Sequence, residues 1–265
     1  MSLSPLLARY DNVVLDLDGC VWVGDACTAG APEAVSELRA GGKQVAFLTN
    51  DSRRSPEEYV RKLWSLGVQA SLEDVVTVGA AIQHVLAERD RGTAYVIGSA
   101  AIFRHVSDAG HRIVNGTRDA ARADVVVVTG HDDFNYSELR DATRAVLAGA
   151  EMIAACRDRT FPREDGMWPG SGAIVAALEY ATERRARIVG KPEPQIFLTV
   201  LDRIGDGRTL VVGDRLDVDL AGAAAAGLDA AIVLTGVASS EEAHAASDPA
   251  PVAIADDLHT LVVAR

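Results

Sequence analysis

Cysteine is scarce in this 265-residue chain. The three present, Cys20, Cys27 and Cys156, are odd in number, form no CxxC pair and show no metal-ligand spacing. That argues against a disulfide framework or a structural zinc site and leads us to expect reduced thiols in a cytoplasmic protein. Positive charge is also short: 26 Lys and Arg stand against 38 Asp and Glu, a formal net charge of −12. Phosphate backbones and anionic membranes attract clustered Lys and Arg, so neither a nucleic-acid polymer nor a membrane is an expected partner. A small phosphorylated ligand stays open, because a bound metal inverts the local charge of a site. The most apolar long window, 221–238, contains Asp229 and several glycines and falls short of a bilayer span. The first eleven residues lack the apolar stretch of a signal peptide. Aromatics amount to only 5%, so the core must be built from Ala, Val, Leu and Ile.

With 48% hydrophobic and 24% charged residues, the composition is that of an ordinary globular protein of one large or two modest domains. Short β-branched runs at 13–17, 44–48, 94–97, 125–128, 152–155, 209–212 and 230–234 predict strands. Amphipathic stretches at 32–40, 56–66, 136–148, 171–182 and 193–203 predict helices between them. Ser55-Pro56-Glu57-Glu58 is a good helix entry, with a cap candidate, a proline in the first turn and early acids. Strands alternating with helices imply βαβ units and parallel sheets. A run such as Val125–Val128 is apolar on both faces, as a sheet covered by helices requires. The Ala-rich segment 222–227 reads as a tightly packed helix end.

Chemistry concentrates where apolar strands run into acids. Val13-Val14-Leu15-Asp16-Leu17-Asp18-Gly19 places two carboxylates at i and i+2 before a strand-breaking glycine. Residues two apart in a strand share a side, and the carboxyl ends of parallel strands are where α/β folds hold ligands. Crowded carboxylates there repel unless a cation separates them, so the pattern suits a hard metal, a nucleophile and an acid/base partner. The plainer reading is a turn after a strand. Thr209–Val212 likewise runs into Gly213-Asp214, with Asp217 and Asp219 opening the next helix, where acids also complement the helix dipole. If the two strands are neighbours, Asp16, Asp18 and Asp214 converge on one point. Thr49-Asn50 closes a third strand and could hold a phosphate oxygen, though such pairs are common in loops. Lys191, fixed between Gly190 and Pro192, could neutralise a phosphate or pair with the carboxylates; a surface turn is its plainer reading.

In this order the segments resemble the haloacid dehalogenase (HAD) superfamily of phosphotransferases. Asp16-Leu17-Asp18-Gly19, Leu48-Thr49-Asn50, Pro169-Gly170-Ser171-Gly172, Gly190-Lys191-Pro192 and Gly213–Asp217 together are similar to its NagD-type phosphatases, as are Asp133–Tyr136 and 149–155. The resemblance implies an α/β fold: a Rossmann-like parallel-sheet core, 1–76 and 189–265, with an α/β cap domain inserted at 77–188. It implies Mg²⁺-dependent hydrolysis of small phosphomonoesters through an aspartyl-phosphate, on glycerol phosphate, phosphoglycolate, a sugar phosphate or a nucleotide. Asp16 would be the nucleophile and Asp18 the general acid/base. The Asp16 carboxylate, the Asp18 backbone carbonyl and Asp214 would hold Mg²⁺, with Asp219 behind them. Thr49, Asn50 and Lys191 would bind the phosphoryl group. A homodimer through the cap is implied by resemblance alone. If the neighbouring carboxylates and burial raise the pKa of Asp18, it can act as an acid near neutral pH.

The departures are few. Cys20 follows Gly19 where relatives often carry Thr or Val, and is expected as a packing residue in a hairpin over 20–26. Asp51 and Val218 replace a common Asn and Thr. Ala155-Cys156-Arg157 stands where the cap usually reads Ala-Thr-Asn. The loop 156–170 is expected to overhang the site and select the leaving group, with Arg157, Asp158 and Arg163 as candidates against a plainer reading of solvated loop charges. Two alternatives to a phosphatase are a catalytically silent binding or regulatory module and a phosphomutase. The intact set Asp16, Asp18, Lys191 and Asp214 argues against a silent site.

Overall fold

This computed structural model describes residues 3–163 and 165–264, and at 162 and 163 the backbone only. The chain forms two compact units. The first gathers residues up to Thr49, Pro56–Val76 and the chain from Lys191 on; the second is Asn50–Ser55 with Thr77–Gly190. Among the described residues no helix is long and apolar enough to cross a membrane.

The first unit is built on a six-stranded sheet. Its strands are β1 (Asn12–Asp16), β4 (Gln44–Thr49), β5 (Val75–Thr77), β13 (Thr209–Gly213), β14 (Asp229–Val233) and β15 (Ala253–Ala255), in the order β15-β14-β13-β1-β4-β5. β1 runs parallel to both neighbours, Leu15 standing opposite Val212 on one side and Phe47 on the other. From β1 the chain steps outward to β4 and β5, then returns to fill the other side with β13 to β15. β1 and β13 therefore flank the switch point of the sheet, outside whose carboxyl ends such folds bind ligands.

Every residue of β1 is buried because helices cover both faces. Val13 and Leu15 join one core with α1 (Ala31–Ala40), α2 (Pro56–Ser65) and α10 (Leu258–Val262). Val14 points the other way and is equally dry. α7 (Pro194–Ile204) packs on β4 and on α8 (Ala221–Ala225), the Ala-rich segment; a Cβ on Gly222 would meet the Phe197 ring at 2.6 Å. α2 begins as expected, on Pro56 with Glu57 and Glu58 in its first turn, and buries Tyr59 and Leu63. α9 (Ser240–Ala245) opens on a reciprocal Ser239–Glu242 cap. A two-stranded hairpin, β2 (Trp22–Val23) with β3 (Ala26–Cys27), follows β1. It starts two residues later than expected: Cys20 lies in the turn before it, fully buried, and burial first, then Asp16, pushes its thiol well up.

The second unit has its own parallel sheet, β12-β9-β8-β6-β7, of β6 (Thr93–Ile97), β7 (Arg112–Ile113), β8 (Val125–Val128), β9 (Glu151–Ala154) and β12 (Arg187–Ile188). α3 (Val78–Ala87) and α4 (Ala100–Asp108) pack together, as do α5 (Tyr136–Leu147) and α6 (Ser171–Thr182). α5 starts at a complete capping box, Asn135 accepting from Ser137 and Glu138 N–H while Glu138 reaches back. The stretch 156–170 is not an irregular loop. It contains an antiparallel hairpin, β10 (Thr160–Arg163) with β11 (Gly166–Pro169), whose Met167 is exposed.

Burial of β8 on both faces has a direct test. Val126 belongs to the core lined by α5 and α6, Val127 points to the opposite face, and both are 0% exposed. Each of Val126→Thr and Val127→Thr is expected to cost about 1–3 kcal/mol in urea denaturation, since each buries a hydroxyl. A neutral Val127→Thr would contradict a two-sided core.

Candidate active site

Asp16 closes β1 and Asp214 follows β13 directly, so the pairing of these strands brings both carboxylates to one sheet edge. Asp219 joins them from a π-helical turn, Leu216–Leu220. Ligand oxygens of Asp16, Asp214 and Asp219 all lie within 4.8 Å of one another, and all three residues are buried. The cluster thus contains Asp219 in place of the expected Asp18. Asp219 also serves its own turn, Oδ2 accepting the Arg215 N–H at 3.1 Å. Glycines make room for this: a Cβ on Gly19, which sits at φ +90°, would collide with the Asp214 carboxylate, and one on Gly213 with Asp219.

Lys191 is the counter-ion. It is 4% exposed and donates to Asp16 Oδ1 and, at 2.7 Å, to Asp219 Oδ1. Burial alone would lower its pKa, but Asp16 and then Asp219 overcome that and hold the ammonium above its ordinary value. Burial drives Asp16 well up, against the pull of Lys191, and it also raises Asp214, with Asp219 adding to the effect. Three carboxylates share one ammonium here, so full ionisation would leave two negative charges uncompensated in a dry site, and that cost is what pushes Asp16 and Asp214 up. Asp214 Oδ2 accepts the Val237 N–H at 2.7 Å, while its buried Oδ1 has no hydrogen-bond partner among the described residues. An all-oxygen donor set, three carboxylates to one ammonium and an orphaned carboxylate oxygen fit a hard divalent cation such as Mg²⁺.

The remaining candidates fall in different places. Asp18 is exposed, not buried, and its Oδ1 accepts the Trp22 indole N–H at 2.8 Å. The β strand ends at Asp16, so the i, i+2 rule no longer holds Asp18 on the side of Asp16. Thr49, buried at the end of β4, lies one residue past the Asp16–Leu48 register pair. Asn50 belongs to the second unit, where its Oδ1 stands 2.6 Å from the position of a Cβ on Gly190. Arg157 makes a bidentate pair with Glu179 on α6, at 3.0 and 2.7 Å. Asp158 is half-buried, and its carbonyl accepts the Gly172 N–H at 3.0 Å. The Arg163 side chain lies outside the described residues. Trp22 and Val237 escaped the sequence reading. Trp22 left a faint signal, as one of only three tryptophans and four residues from Asp18; a backbone N–H such as that of Val237 leaves none.

Comparison with known proteins identifies the family. Residues 13–112 match the profile of the haloacid dehalogenase-like hydrolases, and 188–261 match a second, HAD-hydrolase-like profile. A D-glycerol 3-phosphate phosphatase of Mycobacterium tuberculosis is 38% identical over 263 residues, 98% of this chain and 73% of its own. An acid sugar phosphatase of Staphylococcus haemolyticus is 30% identical over 239 residues, 89% of each chain. The crystal structure of glycerol phosphate phosphatase from Mycobacterium tuberculosis in complex with magnesium matches with a TM-score of 0.89. It is 39% identical, over 97% of this chain and 78% of that one.

Two outcomes follow from the electrostatics. Mg²⁺ at about 100 times its Kd is expected to stabilise the protein by about 2.7 kcal/mol in thermal unfolding. Asp214→Ala is expected to remove that increment, and its survival would place the cation elsewhere. Glu179 is held at about 2, chiefly by its hydrogen bond from Arg157. A depressed carboxylate contributes stability that is complete above its ordinary pKa and lost as pH falls through the folded value. Glu179→Gln is therefore expected to cost about 2 kcal/mol at pH 7, with the deficit more than halved by pH 3 in urea titrations.

Proposed function

The chain belongs to the haloacid dehalogenase-like hydrolases, as a phosphoric monoester hydrolase, and we propose that it cleaves small phosphomonoesters with Mg²⁺ through an aspartyl-phosphate. The observation that carries this reading is the buried cluster of Asp16, Asp214 and Asp219, of which Asp16 and Asp219 pair with the single ammonium of Lys191.

In the first half-reaction an Asp16 carboxylate oxygen attacks phosphorus and the bond to the ester oxygen breaks. The leaving alkoxide takes a proton from Asp18. In the second half, Asp18 removes a proton from water as that water attacks the phosphorus of the aspartyl-phosphate, freeing inorganic phosphate and restoring Asp16. Lys191, kept charged by its two carboxylates, holds Asp16 in place and offsets negative charge on the phosphoryl oxygens. Thr49 and Asn50 bind the same group. The Asp16 and Asp214 carboxylates and the Asp18 carbonyl would hold Mg²⁺, with Asp219 supporting them. Bound there, the cation supplies the positive charge that lets a carboxylate approach a phosphate dianion.

The substrate class is a small phosphorylated metabolite. Glycerol phosphate has the support of the Mycobacterium tuberculosis relative, and the Staphylococcus haemolyticus relative keeps sugar phosphates within the class. The second unit, residues 77–188 in the sequence reading, is assigned the role of substrate-selecting cap. Arg157 contributes there through its bond to Glu179, which holds the start of the 157–170 segment on α6.

The test is phosphate release from glycerol 3-phosphate, phosphoglycolate, sugar phosphates, nucleotides and 4-nitrophenyl phosphate, with Mg²⁺ or EDTA. Turnover should require Mg²⁺ and fall at least about 10³-fold in Asp16→Asn, within the range that loss of a catalytic nucleophile produces. No release from any ester by folded, Mg²⁺-bound protein would sink the phosphatase reading.

A further inference from the structure

Trp22 is fully buried, yet its indole N–H must find an acceptor, and that acceptor is the exposed carboxylate of Asp18. A tight turn brings the two together. Val21 and Trp22 N–H both donate to the Leu17 carbonyl, at 2.9 and 3.1 Å, and Gly19 N–H donates to the Trp22 carbonyl at 2.7 Å.

The indole is fixed in turn by α2. Tyr59 stacks on Trp22 with centroids 6.3 Å apart and ring planes 8° from parallel. The Lys62 ammonium lies over the Trp22 ring, 4.4 Å from its centroid, and donates to the Gly24 carbonyl at the hairpin tip at 2.8 Å. Asp25, beside that tip, adds a longer ion pair of 3.8 Å. Tyr59 and Lys62 are three residues apart and so share one face of the helix. Lys62 is itself well covered, its side chain 15% exposed, which strengthens a cation–π contact.

We infer that Trp22 is a positioning residue for Asp18, and that Tyr59 and Lys62 lock the indole that performs it. The inference rests on the role proposed for Asp18 above. An exposed aspartate on a turn samples several rotamers, whereas a general acid must meet the leaving oxygen in one. A hydrogen bond from a clamped, buried ring selects that rotamer. Tyr59 and Lys62 thereby act on catalysis from a helix that supplies no catalytic group.

Proton donation matters for a poor leaving group and little for a good one, so the readout is the ratio of kcat/KM for 4-nitrophenyl phosphate to that for phenyl phosphate. kcat/KM reports steps up to loss of the leaving group, before water attacks. In the Mg²⁺-loaded enzyme, Trp22→Phe keeps the aromatic stack and deletes the donor; the ratio should rise about tenfold with KM changed less than about twofold. Lys62→Met, which keeps the stem and removes the charge, should raise it about threefold and serves if Trp22→Phe fails to fold. In an Asp18→Asn background, Trp22→Phe should move the ratio no further, as two residues acting through one contact require. An equal loss for both esters, a gain in rate, or an effect that persists without Asp18 would overturn the inference. Wild-type protein that hydrolyses neither ester with Mg²⁺ would instead overturn the phosphatase reading on which it rests.

Discussion

Three carboxylates and one ammonium, shut away from water at the edge of a parallel sheet, set the terms for the first unit. An unpaired buried carboxylate is among the most costly features a fold can carry, and Lys191 answers only part of the debt left by Asp16, Asp214 and Asp219. Much of the local architecture serves to keep the acids in place. Gly19 and Gly213 clear the space they occupy, Val237 gives Asp214 a backbone donor, and Asp219 holds the π-helical turn that carries it. The site stays electrostatically incomplete, as the proposed binding of a dication and a phosphate requires.

The two carboxylates of the proposed mechanism are held on different principles. Asp16 is rigid and dry, its position set by a strand, a salt bridge and the packing of β1 between two neighbours. Asp18, two residues later, is wet and tethered through one indole. A nucleophile gains from a fixed approach to phosphorus. A group that gives up a proton and then takes one from water needs contact with both the substrate and solvent, so exposure suits it. The end of β1 between them marks where one regime changes to the other.

Much of this was legible in the residues themselves. Strands that end in acids, such as 13–17 and 209–212, could be placed because an apolar run has few other uses and an acid at its end few other reasons. Their adjacency was a condition in the sequence and a fact only in the sheet order. Short edge strands such as β5 and β15, three residues each, leave no periodicity to read. Asp18 was expected to be buried among the other acids, since a strand rule places i and i+2 together; the strand stops first, and a tryptophan takes the side chain. The pairing of Arg157 with Glu179 spans 22 residues and depends on where a hairpin returns to α6, which no local pattern encodes. Side-chain partnerships across distant segments are decided by packing, so the elements were easier to foresee than the bonds between them.

The first unit is assembled from stretches of chain that lie far apart in the sequence. Asp16 and Lys191 are 175 positions apart, and Asp214 comes later still. During synthesis, β1 and β4 leave the ribosome long before β13 exists to pair with β1, while the sheet of the second unit is contiguous from β6 to β12. A nascent chain that ends before Lys191 therefore carries Asp16 with neither its counter-ion nor β13, one of the two sheet neighbours of β1. Translation thus completes the second unit before the carboxylate cluster, and until then Asp16 has β4 beside it but neither Lys191 nor Asp214 and Asp219.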